Sequence, residues 1–443
     1  MCRSIPRCAC ALVLLILGGC ATHAHQLTKV RELYCAGELA EATSSVDKAL
    51  KRPHNDGDVL RLEHAMLDLC EGRTREAEQT LRQVRDRFDT LEQASLGRSA
   101  LSMLTDDNMR DYPGEDYERV LVRAFLALSN LMNGGEDAQA YSLQITDKQQ
   151  QIIDAAKDRN DEESKLAYKQ VALGPYLRGM LREETHSNYD DVQRASATVV
   201  SWQPNFVYGL QDLERARHGH HSAPGNGVLY VFALTGLGPY KEETMELPST
   251  VALLIADQIL SATNKYTLPP TIAPIKVPKV VVPTNQIDRV RVFVDRQPVG
   301  ETATITNIGE MAREQYEAVY PHVIARAVVR RVVKKGVIYG TKTAMNIDRN
   351  SLWDIGLDVV GVAWEATEAA DTRCWGLLPE KIQVLRVELP QGEHEIALQG
   401  VGSTLPGTPR AERVTITNGR NTYMLANFPD MDPIGKILVN QRR

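Results

Sequence analysis

Two stretches of this chain align when one is shifted by 35 residues: YCAGELAEATSSVDKAL at Tyr34–Leu50 and LCEGRTREAEQTLRQV at Leu69–Val84. Gly37 falls on Gly72, Ala42 on Ala77, Val46 on Leu81 and Cys35 on Cys70. Each copy has the logic of a helical hairpin: an apolar-periodic helix, a turn entered at glycine, then a second helix whose alanine allows close packing. Such a unit cannot bury its apolar face alone, so it must stack on neighbours.

The period resembles that of tetratricopeptide repeats, which is about 34 residues. A third candidate begins at Tyr176, with Gly179 and Leu181 before a turn and Pro204 stopping the second helix. Between the copies, Glu118–Met132 and Ala138–Lys157 read as two more helices joined at Gly134-Gly135. The expectation over residues 27–221 is therefore an α-solenoid-like, tetratricopeptide-like array, with an unspecialised helical bundle as the alternative.

From residue 222 the pattern changes. Gly225-Asn226-Gly227 is a turn signal, and VLYVFALTG reads as a buried strand. The proline-rich stretch 268–283 should run extended or as an edge strand. The strand RVRVFVD follows it, and KIQVLRVEL, HEIALQGV, ERVTIT and TYMLANF close the chain between turns at Pro390-Gln391-Gly392 and Asn418-Gly419. Between them, Ile308–Tyr339 is helical with a break at Pro321, and Leu352–Thr372 reads as a second helix. The fold class expected is multidomain α+β: the helical array, then a β-sandwich-like domain over 222–443 with a helical hairpin inserted at about 306–378.

The first residues carry a different kind of signal. Arg3 and Arg7 precede the apolar run Ala11–Leu17, which has the length of a signal-peptide core and is too short to span a bilayer. It ends in Leu17, Gly18, Gly19 and Cys20, which resembles the bacterial lipobox. The resemblance implies removal of residues 1–19, a diacylglycerol on Cys20, and a short tether to residue 26. Acyl chains contribute about 0.8 kcal/mol per buried methylene, so two or three anchor a protein without a spanning helix. Ala21 is not the aspartate that retains lipoproteins in the inner membrane, so the outer membrane, periplasmic side, is expected.

Of the seven cysteines, three leave with the signal and Cys20 is acylated, so Cys35, Cys70 and Cys374 remain as buried free thiols rather than a disulfide framework. A net charge of -6 carries no footprint for nucleic acid.

Candidate sites were weighed on chemistry. His218, His220 and His221, beside Arg217, could reach one metal ion but lack a fourth ligand, so a solvated linker is expected and no metal or cofactor. His394, flanked by Glu393 and Glu395, reads as structural. Arg326, Arg330, Arg331, Lys334 and Lys335 make a helix basic and amphipathic; they could touch an anionic surface or form a solvated face. The string Ala370–Trp375 suggests an internal Asp371–Arg373 or cap-type interaction at a helix end. No nucleophile motif is present, so no catalytic residue is expected and the chain is read as non-enzymatic.

VFVDRQPVGE, LPQGEHEIALQGV and VTITNGRNTYML together resemble the surface β-domain called PEGA, with Arg296 where that pattern has glycine. Together with the lipobox, the repeat-like helices, GLGPYKEETMELP and ADTRCWGLLPEKI, the chain resembles a family of uncharacterised Gram-negative outer-membrane lipoproteins. Some members are encoded near lipoproteins resembling activators of peptidoglycan-synthesising enzymes, which implies an envelope role. The function expected is a scaffold bound to the membrane through Cys20 and to an envelope protein partner. A homo-oligomeric assembly subunit and a cell-wall hydrolase remain as alternatives.

Overall fold

The computed structural model describes residues 21–96, 110–158, 165, 168–262, 266–269, 272–344 and 369–440. Helices crowd the first half and strands the second, a mixed α+β architecture.

The helices follow one another as antiparallel neighbours. They are α1 (Ala21–Cys35), α2 (Leu39–Leu50), α3 (Gly57–Glu71), α4 (Thr74–Leu96), α5 (Asp116–Met132), α6 (Ala138–Asp158), α7 (Leu173–Glu183), α8 (Tyr189–Trp202) and α9 (Gly209–Arg217). The α1–α2 and α3–α4 turns pass through Gly37 and Gly72, at φ +74° and +83°, where a side chain would be strained. Ala42 and Ala77, paired by the 35-residue shift, are both fully buried at helix crossings. Residues 21–26, expected as a tether, form the first turns of α1.

The strands are β1 (Asn226–Thr235), β2 (Tyr240–Glu246), β3 (Ile275–Val281), β4 (Ile287–Val294), β5 (Gln297–Glu301), β6 (Ala303–Asn307), β7 (Lys381–Pro390), β8 (Gly392–Gly402), β9 (Arg410–Ile416), β10 (Asn421–Phe428) and β11 (Ile434–Asn440). A five-stranded sheet runs β11-β10-β1-β7-β6, a four-stranded sheet runs β5-β4-β8-β9, and β2 pairs with β3 alone. Central β1 lies parallel to β10 and antiparallel to β7.

The period of two along β1 explains the layering. Leu229, Val231 and Ala233 face the four-stranded sheet with Val290, Val292, Ile396 and Leu398. Val228, Tyr230, Phe232 and Leu234 face the helices and share one core with Leu62, Met66, Phe125 and Leu177. Helices, five-stranded sheet and four-stranded sheet thus form three layers. A strand buried on both faces must be apolar throughout, as VLYVFAL is.

A smaller unit has its own core. α10 (Thr250–Ala262) and α11 (Ile308–Ala344) pack against β3 through Ala252, Ala256, Leu260, Val277, Ile324, Val328 and Val329. Hydropathic periodicity does not announce α10, because its residues are apolar on nearly every side. Two expectations change here. Pro321 does not break the helix: α11 runs through it for 37 residues, about 55 Å. One backbone hydrogen bond is forfeited there, and packing of the following turns on α10 and β3 holds the helix together. Of the second helix expected at Leu352–Thr372, residues 352–368 lie outside the described residues, and Ala369–Thr372 are not helical.

The helical array is seated on β11. Gly435, at φ +65°, brings its backbone so close to α3 that a Cβ would stand 2.2 Å from the Cys70 carbonyl oxygen. Gly435→Ala should therefore lower unfolding stability by about 2 kcal/mol, from the left-handed backbone and the clash together. Urea denaturation checks this, and a loss near zero would mean that β11 can draw away from α3 without cost.

Candidate functional site

The segment Ala370–Leu378 leaves the β2 side of the molecule and crosses the inner faces of α3 and α5 before β7 begins. It is an extended strap rather than the helix end expected from sequence. Two buried carboxylates hold its backbone. Glu63 of α3, fully buried, accepts the N–H groups of Gly376 at 2.5 Å on Oε1 and Leu377 at 2.9 Å on Oε2. Glu118 of α5, also fully buried, accepts the Trp375 N–H at 2.8 Å, the Tyr112 hydroxyl at 2.6 Å and the Glu115 N–H at 3.2 Å. An extended strap cannot satisfy its own amides, and a carboxylate in an apolar interior needs donors; each supplies what the other lacks.

The glycine in the strap allows this close approach. A Cβ on Gly376 would lie 3.1 Å from Glu63 Oε1. Arg31 of α1 donates to the carbonyls of Gly376 at 3.1 Å and Gly238 at 2.6 Å, and the Gly238 N–H returns to the Leu378 carbonyl at 2.8 Å. Trp375, with no exposed surface, packs on Phe125 with ring centroids 5.2 Å apart. The Asp371–Arg373 contact expected from sequence is present as a two-armed pair at 2.9 and 2.8 Å. Arg373 also donates to the carbonyls of Asn55 and Arg110 and lies over the Tyr112 ring. Lys241, buried beside Glu115 and Asp371, completes the balance of charge.

These surroundings shift proton affinities. Burial raises Glu63 to about 8, against the pull of the two strap amides and Arg31. Burial also raises Glu118, with Glu115 adding to it. Burial pushes the thiols of Cys70 and Cys374 to about 12, so both stay protonated and unreactive. Cys35 is half-exposed rather than buried, and all three thiols are free. Both oxygens of Glu63 and of Glu118 accept from protein donors, and three of those donors are strap amides.

A second polar joint ties the far end of the array to the sheet. Glu183 of α7 binds Arg215 of α9 at 2.7 Å and the Tyr230 hydroxyl of β1 at 3.2 Å, while Arg215 also reaches Asp212 at 2.7 Å. Beside it the histidine cluster separates. His218 and His220 are exposed, but His221 is buried and is no part of a solvated linker. Its Nε2 lies 2.9 Å from Asn421 Oδ1, its Nδ1 lies 3.0 Å from Ser222 Oγ, and its ring meets that of His186 at 4.8 Å. Burial lowers its pKa. Among the described residues, no group of three or more His, Cys, Asp or Glu is placed to hold a metal ion.

The other expected sites distribute as follows. Leu17, Gly18, Gly19 and Cys20 lie outside the described residues. Arg326, Arg330, Arg331 and Lys334 are half-buried on α11, and Arg331 donates to the carbonyls of Ala273 at 3.1 Å and Pro274 at 2.8 Å. Lys335 belongs to α11, with its side chain outside the description. His394 sits in β8 between Asp295 Oδ2 at 2.8 Å and the Pro390 carbonyl at 3.0 Å. Asp295 and Arg296 form the β4–β5 turn at φ +49° and +70°, a left-handed backbone of the kind that two-residue hairpin turns require.

Glu63 and Glu118 escape a motif search because nothing local marks them. Their signal is a carboxylate on an apolar stripe: Val59, Met66 and Leu67 lie around Glu63 at helical spacing, and Leu121, Val122 and Phe125 around Glu118. Among the described residues, no helix is long and apolar enough to cross a membrane.

At pH 5 Glu63 is protonated but both of its oxygens can still accept, whereas Glu63→Gln puts an NH2 group against one strap N–H, so it should cost about 1–3 kcal/mol. A carboxyl whose folded pKa is raised stabilises the fold below its unfolded value and loses that contribution as pH rises through the folded one. The gap between wild type and Glu63→Gln should therefore narrow from about pH 4.5 towards 8, as parallel urea titrations would read; a pH-independent gap means that Glu63 stays ionised. For His394, burial opposes the charged form, but the Asp295 carboxylate and Pro390 carbonyl outweigh it and raise the pKa. Its contribution is present below about 6.5 and fades as pH rises through the raised value, and an imidazole NMR titration at or below 6.5 would refute the paired geometry. Comparison of the chain with protein-family models, curated proteins and solved structures finds no match.

Proposed function

We propose that this protein is a non-enzymatic scaffold of the outer membrane, tethered through a lipidated Cys20 and folded on the periplasmic side, where it holds an envelope protein partner. The observation that carries this reading is the strap: its clasp joins the helical array to the β-layers as one body and takes up both buried carboxylates. The fixed relation between the two halves suits a part that positions others. The helices are read as tetratricopeptide-like, on the matched turns at Gly37 and Gly72 and the matched buried alanines Ala42 and Ala77. The β-layers are read as a PEGA-like sandwich, and peptidoglycan synthesis as the envelope process served.

A second reading, a subunit of a homo-oligomeric envelope assembly, draws on Met245, Leu247, Val251 and Leu254, four large apolar side chains more than half exposed within ten residues.

Cys20→Ala should move the protein from the membrane pellet to the soluble periplasmic fraction; retention in the pellet would reject the lipid anchor. In-cell crosslinking from α4 and from β9, read by mass spectrometry, should recover one defined envelope protein. Self-crosslinks alone would favour the assembly subunit, and no crosslinks would reject the scaffold.

A further inference from the structure

Helices α3 and α4, with the turns that precede α3 and α5, border an open cleft of about 440 Å³ whose lining includes His54, Asp58, Arg61, Gln83, Arg87 and Asp111. Its charges form a row that alternates in sign. Arg61 Nη1 lies 2.9 Å from Asp58 Oδ1, Arg87 Nε lies 3.6 Å from Asp58 Oδ2, and Arg87 Nη2 donates to Asp111 Oδ2. Asp58 is buried and draws both guanidiniums to one place, whereas the side chains of Arg61, Arg87 and Asp111 stay 42%, 46% and 39% exposed. The row is not used up by its own ion pairs. Arg61 Nε and Nη2, Arg87 Nη1 and Asp111 Oδ1 take part in no hydrogen bond among the described residues.

The strap holds the two rims of this cleft in place. Buried Arg373 donates to the carbonyl of Asn55 at 3.1 Å and to that of Arg110 at 2.8 Å, each next in sequence to a lining residue. On the first rim His54 keeps a left-handed backbone at φ +46°, a strain that only the surrounding structure can impose on a residue with a side chain. On the floor, Asp58 and Arg61 are three residues apart on α3, and Gln83 and Arg87 four apart on α4, so each pair shares a helix face. Gly57 gives Arg61 room: a Cβ there would stand 3.3 Å from its Nη1. The volume falls within the roughly 300–1,000 Å³ of small-molecule sites.

A polyanion in this cleft would meet the carboxylates of Asp58 and Asp111, and a metal ion would meet two guanidiniums. A ligand that carries one charge of each sign finds a complement for both. We propose that the cleft is a binding site for a short peptide with both termini free, its carboxylate accepting from Arg61 and Arg87 and its ammonium donating to Asp111 Oδ1. Gln83, exposed on α4, supplies a neutral amide for the backbone between the two ends.

Saturation-transfer NMR on the full chain, with triglycine, N-acetyltriglycine and triglycinamide as probes, tests this. Triglycine should bind at least about tenfold more tightly than either capped form, since each cap removes one charge-assisted hydrogen bond. Asp111→Asn should abolish the advantage over N-acetyltriglycine and keep the advantage over triglycinamide, and Arg61→Gln should do the reverse. Should Arg61→Gln alter the circular dichroism spectrum, Asp111→Asn decides alone, because its side chain is exposed enough to change without unfolding the chain. No binding of triglycine, equal binding of the three probes, or a folded variant with unchanged discrimination would overturn the proposal and leave the row as surface ion pairs only.

Discussion

The helical half and the strap that leads into β7 meet on two carboxyl groups that water does not reach. Glu63 and Glu118 project from helices α3 and α5 into an apolar interior, where an uncompensated charge would be untenable. What makes them tolerable is a strap from some 260 to 310 residues further along the chain, whose backbone N–H groups arrive where the carboxylates need donors. The dependence is mutual, because the strap has no ladder of its own. Removing either side leaves buried polar groups without partners, which is far costlier than the bond itself is stabilising.

That mutual need explains why array and sheets behave as layers of one body. The strap enters directly into β7, which pairs with central β1, and β1 offers alternate side chains to the helices and to the four-stranded sheet. Further fastenings repeat the principle at the periphery. Asn421 of β10 accepts from or donates to His221, Glu184 and Met180, and Arg386 of β7 reaches the His221 carbonyl. Each is a polar contact between parts distant in sequence, placed where apolar packing already excludes water and so strengthens it.

The functional reading follows from what is occupied. An array of helical hairpins offers an inner face on which a partner segment could lie; here that face grips the protein's own strap at α3 and α5. A partner would therefore meet outer helix surfaces, sheet edges, or the unit built by β2, α10, β3 and α11. That unit has a core separate from the other two and carries the exposed Met245, Leu247, Val251 and Leu254. Arg330, Arg331 and Lys334 of α11 have interactions of their own, so they are less a free cationic stripe than their periodicity suggests.

Much of this was legible in the residues alone, wherever the physics is local. The 35-residue offset announced hairpins with glycine turns, because only glycine passes through φ near +80° without strain. Alternation and β-branching announced β1, β4, β7, β8, β9 and β10, and the Asp371–Arg373 pair was visible from spacing. The resemblance of Leu17, Gly18, Gly19 and Cys20 to a lipobox is local too, and those residues lie outside the described ones. What the tertiary structure decided is everything that depends on water being absent: that Glu63 and Glu118 are clasps rather than surface acids, that His221 is buried while His220 is not, and that helix α11 continues through Pro321. None of these is a property of a residue and its neighbours in sequence. Burial is conferred by segments hundreds of residues away, and only burial turns an ordinary carboxylate into the point on which two halves of a protein meet.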